Sequence, residues 1–530
     1  MKQKEMQQMM QGAFILTIAS FIAKLLSAIY RVPFQNVVGD EGFYVYQQVY
    51  PIYGIAMTLA LSGMPQFISK YVAEKKLPRE RQKALDELYP IIFLSGIGLW
   101  LFFLLFSHPI ASLMGDRALG PLIQVVSFTF LLMPGLSMYR GSLQGQLLME
   151  PTAISQVIEQ LIRVSIILLS SLGFRLLGWT VYRTGTVAMS GAVFGGIAAL
   201  FVLHFYERRI NGRSLQFMRR FQFHFPPKRL LRRFVIEGGL VTIYTGLLIL
   251  FQLIDSFLIK NALIQYGYTE QAAKIAKGVY DRGQPIVQLG LVIATALSAT
   301  FLPGLTRSLI KKEQKQFLQT AKIYLRLTTS LALAASIGLA LLMPYMNYAL
   351  FKDYAGNSTL VLFVFAVALT ALIQAYQSIA QSKNVFRSSL RAAGIGLLIK
   401  FVSTSIFTQN FGTVGASIST LLGLFSTLVY LIKIEEPTVN AFWKEKSFGR
   451  HLCYCLLLMT VVIIGYYSFV DSLGINIHRF TAFLICLGGV SIGATVFVIA
   501  AIRLRLFTIR EWLMLPFGGK ILRIHLKKEK

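Results

Sequence analysis

The sequence has 530 residues, of which 55% are hydrophobic and 14% charged, and its formal net charge is +29. This composition excludes an ordinary soluble domain, in which about 25% of residues are charged. We therefore expect an all-α integral membrane protein, since membrane-spanning helices account for both the apolar excess and the sparse charge.

About 14 apolar runs are long enough to be transmembrane helices, because a hydrocarbon core of about 30 Å needs roughly 20 residues. The runs fall at about 12–36, 43–70, 88–107, 119–139, 152–173, 185–206, 234–260, 277–303, 322–345, 357–380, 389–409, 412–433, 450–470 and 480–503. No cleavage-site pattern follows the first run, which favours a retained span over a signal peptide.

Basic residues are concentrated in alternate loops. The stretch EKKLPRERQKALDE contains 5 Lys or Arg, and the loop 207–233 contains 9. Cytoplasmic loops of membrane proteins carry such an excess. We therefore expect a multi-pass cell-membrane protein with both termini in the cytoplasm. Its basic loops are expected to contact anionic membrane lipids and to bind no nucleic acid.

A weak internal repeat relates runs in the first half of the chain to runs six places later. The segment TLALSGMPQFISK matches ATALSATFLPGLTR, YRGSLQGQ matches YQSIAQSK, and TVAMS matches TVGAS. Six is an even number of crossings, so the two halves have the same orientation. This arrangement is a parallel repeat about an axis along the membrane normal, with a cleft between the bundles.

The repeat predicts the domain organisation. Residues 1–206 form an N-terminal six-helix lobe, and 207–233 a basic cytoplasmic linker. Residues 234–433 form a C-terminal six-helix lobe, followed by two additional transmembrane helices in 434–503 and a basic cytoplasmic tail in 504–530.

Cations inside the apolar runs are candidates for a transport pathway, because an ionised group at a helix centre costs about 2.5–3.5 kcal/mol on insertion scales. Lys24 and Arg31 are seven residues apart and share a face of the first run. Arg282 lies near the start of the eighth run. The repeat places these runs at two sides of the cleft. We expect the three cations to face one cavity and to bind phosphate groups.

Alternative interpretations of these charges remain open. Arg31 could be an interfacial anchor, and Arg282 could form a local ion pair with Asp281, its neighbour. Glu159 and Arg163 are four residues apart, which favours an internal salt bridge.

Three carboxylates, Glu237 and Asp255 on the seventh run and Asp281 near the start of the eighth, are candidates for a cavity or a coupling site that takes Na+ or H+. Glu237 and Asp255 could each also be an interfacial carboxylate. Lys400 on the eleventh run has no assigned role. Pro285 is a candidate hinge that bends the eighth run around the cavity. Cys453 and Cys455 point to different sides of a helix, so neither a disulfide nor a metal site is expected there.

The energy source is constrained by a missing motif. The sequence has no GxxxxGK[ST] phosphate loop, so motion must come from gradients or from the charge of the substrate. With the interior negative, outward transfer of two negative charges is favoured by about 4–5 kcal/mol per 100 mV. The 6 histidines are scattered and no DxD motif accompanies them, which disfavours an enzyme such as a glycosyltransferase.

Three segments carry a resemblance to a known family: IAKLLSAIYRVPFQNVVGDEG, YPIYGIAMTLALSGMPQFISKYVAEKK and YDRGQPIVQLGLVIATALSATFLP. They resemble the polysaccharide-biosynthesis flippases of Gram-positive bacteria, including the stage V sporulation protein B group. The third segment is also similar to the MviN/MurJ-type lipid II flippases. Both groups belong to the multidrug/oligosaccharidyl-lipid/polysaccharide exporter superfamily.

The resemblance implies two six-helix lobes that rock to carry an undecaprenyl-diphosphate-linked saccharide, such as lipid II, to the outer leaflet. It also implies that cations on helices one and eight line the cavity, which by position are Lys24, Arg31 and Arg282. Lys24 stands where relatives have arginine, and Ser27 where they commonly have glycine. A drug/cation antiporter of the same superfamily is the alternative. We expect a monomer without a cofactor, apart from a coupling ion.

Overall fold

The computed structural model describes residues 15–514 with the exception of 17, 24, 76, 212–226, 384 and 475. These described residues contain helices and turns and no β-strand. An all-helical architecture is expected in a membrane, because each helix satisfies its own backbone hydrogen bonds where no water is present. The predicted fold class is therefore confirmed.

Nineteen α-helices are described from Arg31 onward. They are α1 (Arg31–Thr58), α2 (Met64–Ala73), α3 (Pro78–Leu105), α4 (Ser107–Leu113), α5 (Gly120–Gly145), α6 (Glu150–Leu177), α7 (Val181–Asn211), α8 (Lys228–Arg233), α9 (Leu240–Thr245), α10 (Leu247–Tyr266), α11 (Glu270–Asp281), α12 (Gly283–Ile310), α13 (Gln314–Phe351), α14 (Asn357–Phe363), α15 (Ala366–Ser382), α16 (Phe386–Ile434), α17 (Lys446–Ser472), α18 (Arg479–Arg503) and α19 (Ile509–Met514). Helical turns also cover 25–29, just before α1.

The described residues contain 12 helical stretches that are long and apolar enough to cross a membrane. Ten of them coincide with single predicted runs. The other two, Ile18–Ala73 and Phe386–Ile434, have 56 and 49 residues, and each contains two predicted runs. The 12 stretches therefore correspond to the predicted 14 runs, with two pairs joined end to end.

Glycine marks the junctions between paired runs. Among the described residues, the glycines with positive φ are Gly39, Gly115, Gly178, Gly267, Gly356, Gly412 and Gly474. Each lies where an odd-numbered predicted run passes into the next even-numbered run. Successive runs cross in opposite directions, so the predicted topology puts all of these turns on one side of the membrane, opposite the basic loops.

Two of these glycines break long helices that would otherwise be continuous. Gly39 in α1 has φ 72° and ψ −177°, and Gly412 in α16 has φ 58° and ψ −140°. Both conformations lie in or close to a region that is essentially restricted to glycine. The break at Gly39 reverses the chain between the first two runs and so positions Asp40, the next residue.

The helices form two compact units. Unit 1 contains residues 1–289 and 386–426, and unit 2 contains 290–385 and 427–530. A tyrosine-rich core in unit 1 includes the buried rings of Tyr30, Tyr44, Tyr46, Tyr50 and Tyr53. The unit boundaries cut through α12 and α16, and the two repeat-related lobes remain a prediction.

Backbone strain at Gly39 generates a prediction about stability. Gly39→Ala should lower the free energy of unfolding by about 1–2 kcal/mol, because an L-residue resists positive φ. The measurement is thermal or denaturant unfolding of the purified protein in detergent.

The matched control is Gly98→Ala in α3. An added Cβ meets no atom within 4 Å at Gly39 or at Gly98, and only Gly39 has a positive φ. Gly98→Ala should therefore be neutral or stabilising by about 0.5–1 kcal/mol. Equal effects of the two substitutions would contradict the role assigned to Gly39.

Candidate functional site

Arg31 is fully buried at the start of α1, and Lys24 lies outside the described residues. The Arg31 guanidinium carbon is 4.5 Å from the centroid of the Tyr50 ring and 6.0 Å from that of Tyr30. None of its three guanidinium nitrogens has a hydrogen-bond partner among the described residues. Arg31 is therefore a buried cation that contacts aromatic faces, and not an interfacial anchor.

A second buried arginine, Arg163 on α6, lies against the same tyrosines. Its guanidinium carbon is 4.7 Å from the Tyr53 ring centroid and 5.3 Å from that of Tyr30. Its Nη2 donates to Ser27 Oγ at 3.0 Å, while Nε and Nη1 have no partner among the described residues. The sequence did not predict this role for Arg163.

The predicted salt bridge between Glu159 and Arg163 is wrong. Glu159 instead accepts a hydrogen bond from Arg140 Nη2 at 2.7 Å, and both of these side chains are buried. Spacing along one helix could not reveal this outcome, because the competing cation Arg140 comes from α5. Since Glu159 is paired with Arg140, Arg163 has no carboxylate partner among the residues that the structure describes.

We call Arg31, Arg163, Tyr30, Tyr50 and Tyr53 the arginine–tyrosine cluster. It has two cations, and neither forms an ion pair within the described part of the chain. A cation–π contact contributes about 0.5–2 kcal/mol, whereas burial of an ion costs several kcal/mol after relaxation. The five guanidinium nitrogens that have no hydrogen-bond partner in the described part of the chain therefore suit a ligand with several anionic oxygens.

Free space beside the cluster is limited. A cavity of only about 10 Å³ is lined by Tyr53, Thr129, Glu159 and apolar residues of unit 1. Pockets for drug-sized ligands typically measure about 300–1,000 Å³. A large amphipathic ligand would therefore require the helices around the cluster to move apart.

Arg282, between α11 and α12, forms a bidentate ion pair with Asp40. Its Nε and Nη2 atoms donate to the two carboxylate oxygens of Asp40 at 2.9 and 2.6 Å. Gln35 Nε2 also donates to Asp40, at 2.8 Å. We call this arrangement the Asp40–Arg282 clasp. It joins the turn after the first run to the start of the eighth.

Close backbone packing holds the clasp in register. A Cβ added at Gly278 of α11 would lie 2.1 Å from the carbonyl oxygen of Asp40. Gln271, at the start of the same helix, donates to Glu41 at 2.7 Å. Only glycine at 278 allows α11 to approach the turn this closely, which places Asp40 within reach of Arg282.

Asp281 has its own cationic partner. Lys277, one turn earlier on α11, donates to Asp281 Oδ1 at 2.6 Å, and both side chains are buried. Asp281 also lies within electrostatic range of Arg31, so the cluster and the clasp are neighbours in unit 1. The sequence missed Asp40 and Lys277, because nothing in it indicates which distant turn approaches Arg282.

Pro285 lies in the first turn of α12, where its missing N–H requires no intrahelical partner. The helix is interrupted at Arg282, three residues earlier, and the loss of the hydrogen bond from residue 285 to the carbonyl of residue 281 fits that interruption. Motion about this point remains a prediction.

Glu237 lies in a partly exposed ion network. It accepts from Lys70 at 3.1 Å and from Arg233 at 2.8 Å. Arg233 also binds Glu74, and these hydrogen bonds hold the pKa of the Glu74 carboxyl below its usual value. This setting favours the interfacial interpretation of Glu237 over a role in coupling.

Asp255, in contrast, is deeply buried on α10. Its Oδ1 is 2.5 Å from Lys400 Nζ, and its Oδ2 accepts from the Tyr280 hydroxyl at 3.0 Å. The sequence left Lys400 without a role, because its partner is 145 residues earlier in the chain. The structure assigns it to a buried ion pair.

Comparison with known proteins identifies the family to which this chain belongs. The family described as Polysaccharide biosynthesis protein matches residues 9–309, more than half of the chain. The chain is 34% identical to the uncharacterized membrane protein YabM of Bacillus subtilis (strain 168), over 98% of this chain and 97% of that protein. From the same organism, lipid II flippase MurJ is 26% identical over 80% of this chain and 81% of its own length. Stage V sporulation protein B is 24% identical over 97% and 99%.

Solved structures share the fold. Lipid II flippase MurJ in an inward closed conformation matches with a TM-score of 0.68 at 15% identity, over 93% of this chain and 99% of that chain. A multidrug resistance MATE family transporter of the MOP superfamily, in an inward-facing conformation, matches with a TM-score of 0.60 at 14% identity, over 80% and 96%.

These matches confirm the resemblance predicted from the three sequence segments. The relatives and structural neighbours with a named activity are transporters and flippases, not enzymes, as we expected from the sequence. The chain is a multi-span membrane protein that belongs to the polysaccharide biosynthesis protein family and has the fold of the MOP superfamily.

Proposed function

We propose that this protein is a flippase that moves an undecaprenyl-diphosphate-linked saccharide from the inner to the outer leaflet of the cell membrane. Lipid II and polysaccharide repeat units are the candidate substrates, for cell-wall or polysaccharide biosynthesis. The family and the relative named lipid II flippase support this class of substrate. The membrane potential, negative inside, favours outward transfer of the substrate's negative charges.

The arginine–tyrosine cluster is the observation that carries the proposal. A diphosphate offers several anionic oxygens, and arginine binds such groups through two parallel N–H donors. Among the described residues, five guanidinium nitrogens of Arg31 and Arg163 have no hydrogen-bond partner, and no carboxylate forms an ion pair with either arginine. In the proposed cycle, a bound diphosphate supplies the missing counter-charge while the lipid tails remain in the bilayer.

The Asp40–Arg282 clasp supports alternating access. In the predicted topology, the turn at Gly39 is on the outer side of the membrane. A bidentate ion pair there, with the close approach of Gly278 to Asp40, would close the site to the outside. Release of the clasp would open it and free Arg282 for substrate. Lys24 remains a proposed fourth cation of the site, beside Arg31, Arg163 and Arg282.

A drug/cation antiporter is the alternative function in the same superfamily. The MATE similarity concerns the fold alone, at 14% identity. A site for cationic drugs needs a carboxylate or aromatic faces that are free of protein cations. In the cluster, two arginines already occupy the tyrosine faces, which favours an anionic substrate.

The cluster predicts that a single substitution can reduce transport without reducing stability. Arg31→Met and Arg163→Met should each reduce transport at least tenfold, because a charge-assisted hydrogen bond contributes about 1.5–3 kcal/mol. Neither should lower the melting temperature, because the relief from burying a charge that no described carboxylate neutralises offsets the lost cation–π contacts and, for Arg163, the lost hydrogen bond to Ser27. The measurements are the accumulation of undecaprenyl-linked precursors in a flippase-deficient strain and unfolding of the purified variants.

The matched control is Arg183→Met in α7. Arg183 also stacks on an aromatic ring, Trp179, at 4.9 Å, but it is exposed. This variant should transport normally. Normal transport by both Arg31→Met and Arg163→Met would refute the proposed binding site.

The clasp predicts that a cross-link between the outer turn and α11 stops transport. Cysteines replacing Glu41 and Gln271, whose side chains are in hydrogen-bond contact, should be joined by a short cleavable cross-linker. Transport should then stop and return on cleavage, because the outer side can no longer open. The three native cysteines are first replaced by serine.

Each single-cysteine variant, treated in the same way, is the control for chemical modification. Continued transport by fully cross-linked protein would show that this contact does not open during the cycle.

A further inference from the structure

Lys400 is fully buried in α16, between two segments of that helix and α10. Its ammonium group lies 2.5 Å from Asp255 Oδ1, 3.1 Å from Ser419 Oγ and 2.7 Å from Thr420 Oγ1. Lys400 precedes the break at Gly412, while Ser419 and Thr420 follow it. The break therefore folds the helix back so that both hydroxyls face the lysine.

The hydroxyl groups are oriented as acceptors. Ser419 and Thr420 each donate to the carbonyl oxygen of Ala416, at 2.8 and 3.1 Å. Their lone pairs are consequently available to the Lys400 ammonium. A lysine ammonium has three N–H donors and no acceptor, so Asp255, Ser419 and Thr420 use all of them.

The other oxygen of the carboxylate is also held. The Tyr280 hydroxyl donates to Asp255 Oδ2 at 3.0 Å and is 3.0 Å from Thr420 Oγ1. One carboxylate and two hydroxyl oxygens thus surround a single positive charge. Oxygen ligands of this kind are the ones that hard cations prefer in proteins.

We propose that the Lys400 ammonium is a built-in cation in the position that a coupling ion such as Na+ would take, and that Asp255 therefore binds no Na+. The inference deepens the proposed flippase function by assigning its coupling, but the binding test below does not require that function. The pair already has a net charge of zero, and a second cation would have to displace a tethered, fully buried ammonium group. The carrier would then be driven by the substrate's own charge and the membrane potential.

Lys400→Met is the informative substitution. Methionine keeps an unbranched apolar stem but is shorter than lysine and has no ammonium group. It leaves the Nζ position open, still lined by Asp255, Ser419 and Thr420. The variant should therefore acquire the Na+ site that the native chain lacks.

The experiment compares thermal unfolding of the full-length protein in detergent in NaCl, KCl and choline chloride of equal ionic strength. The native protein should have the same midpoint in NaCl and in choline chloride. Lys400→Met should have a lower midpoint in choline chloride and a saturable upward shift with Na+, because a ligand that binds only the folded state stabilises it. The additional substitution Asp255→Asn should abolish that shift.

Lys260→Met is the matched control. Lys260 is another buried lysine, on α10, but it binds the carbonyl of Gly115 and the exposed Glu270. Its removal should lower the midpoint without creating a response specific for Na+.

Two results would overturn the inference. One is a saturable Na+-specific stabilisation of the native protein that Asp255→Asn removes. The other is a folded Lys400→Met protein that does not respond to Na+. If Lys400→Met does not fold, binding of radioactive Na+ to the native protein decides the matter: no binding that depends on Asp255 is expected. Na+ binding by the native protein would leave the flippase proposal intact, whereas failure to transport lipid-linked saccharides would leave the Na+ result unchanged.

Discussion

A positive charge inside an apolar protein must find compensation, because burial of an ion without a partner costs several kcal/mol. Unit 1 contains three different solutions to this problem. Lys400 is neutralised by a carboxylate and two hydroxyls, all of them buried. Arg282 is neutralised by a carboxylate on a turn. Arg31 and Arg163 contact tyrosine rings, and five of their six guanidinium nitrogens have no hydrogen-bond partner in the described ranges.

These differences separate structural cations from functional ones. A fully satisfied pair such as Lys400 and Asp255 has no capacity left for a ligand, and it ties α16 to α10. A buried cation without a protein partner raises the free energy of the folded state, and an anionic ligand removes that cost. Strain is retained at binding sites in a similar way. Burial alone would have grouped Lys400, Arg31 and Arg282 together. The partner of each cation gives it a distinct role.

The sequence predicted the class of protein and the positions of the spans, because long apolar runs and alternating basic loops can be identified from the order of residues without knowledge of their contacts. It also singled out Arg31 and Arg282 as candidate cavity residues, since charges are rare in such runs, and their role in a cavity remains a prediction. It could not predict their partners. Asp40 is 242 residues from Arg282 along the chain, and only the close approach allowed by Gly278 brings the two together. The error at Glu159 has the same origin, because Arg140 on another helix competes with Arg163 for one carboxylate.

In the proposed flippase, the arginine–tyrosine cluster contributes affinity for the substrate, and the Asp40–Arg282 clasp couples substrate binding to opening of the outer side. A diphosphate that binds Arg31 and Arg163 displaces no carboxylate of the described residues, so this contact contributes directly to affinity. A diphosphate that reaches Arg282 must compete with Asp40. When the diphosphate replaces Asp40 at Arg282, the clasp opens. A ligand shifts a conformational equilibrium only by its difference in affinity for the two states. The Asp40–Arg282 pair provides such a difference, because Arg282 is available to substrate in one state and bound to Asp40 in the other.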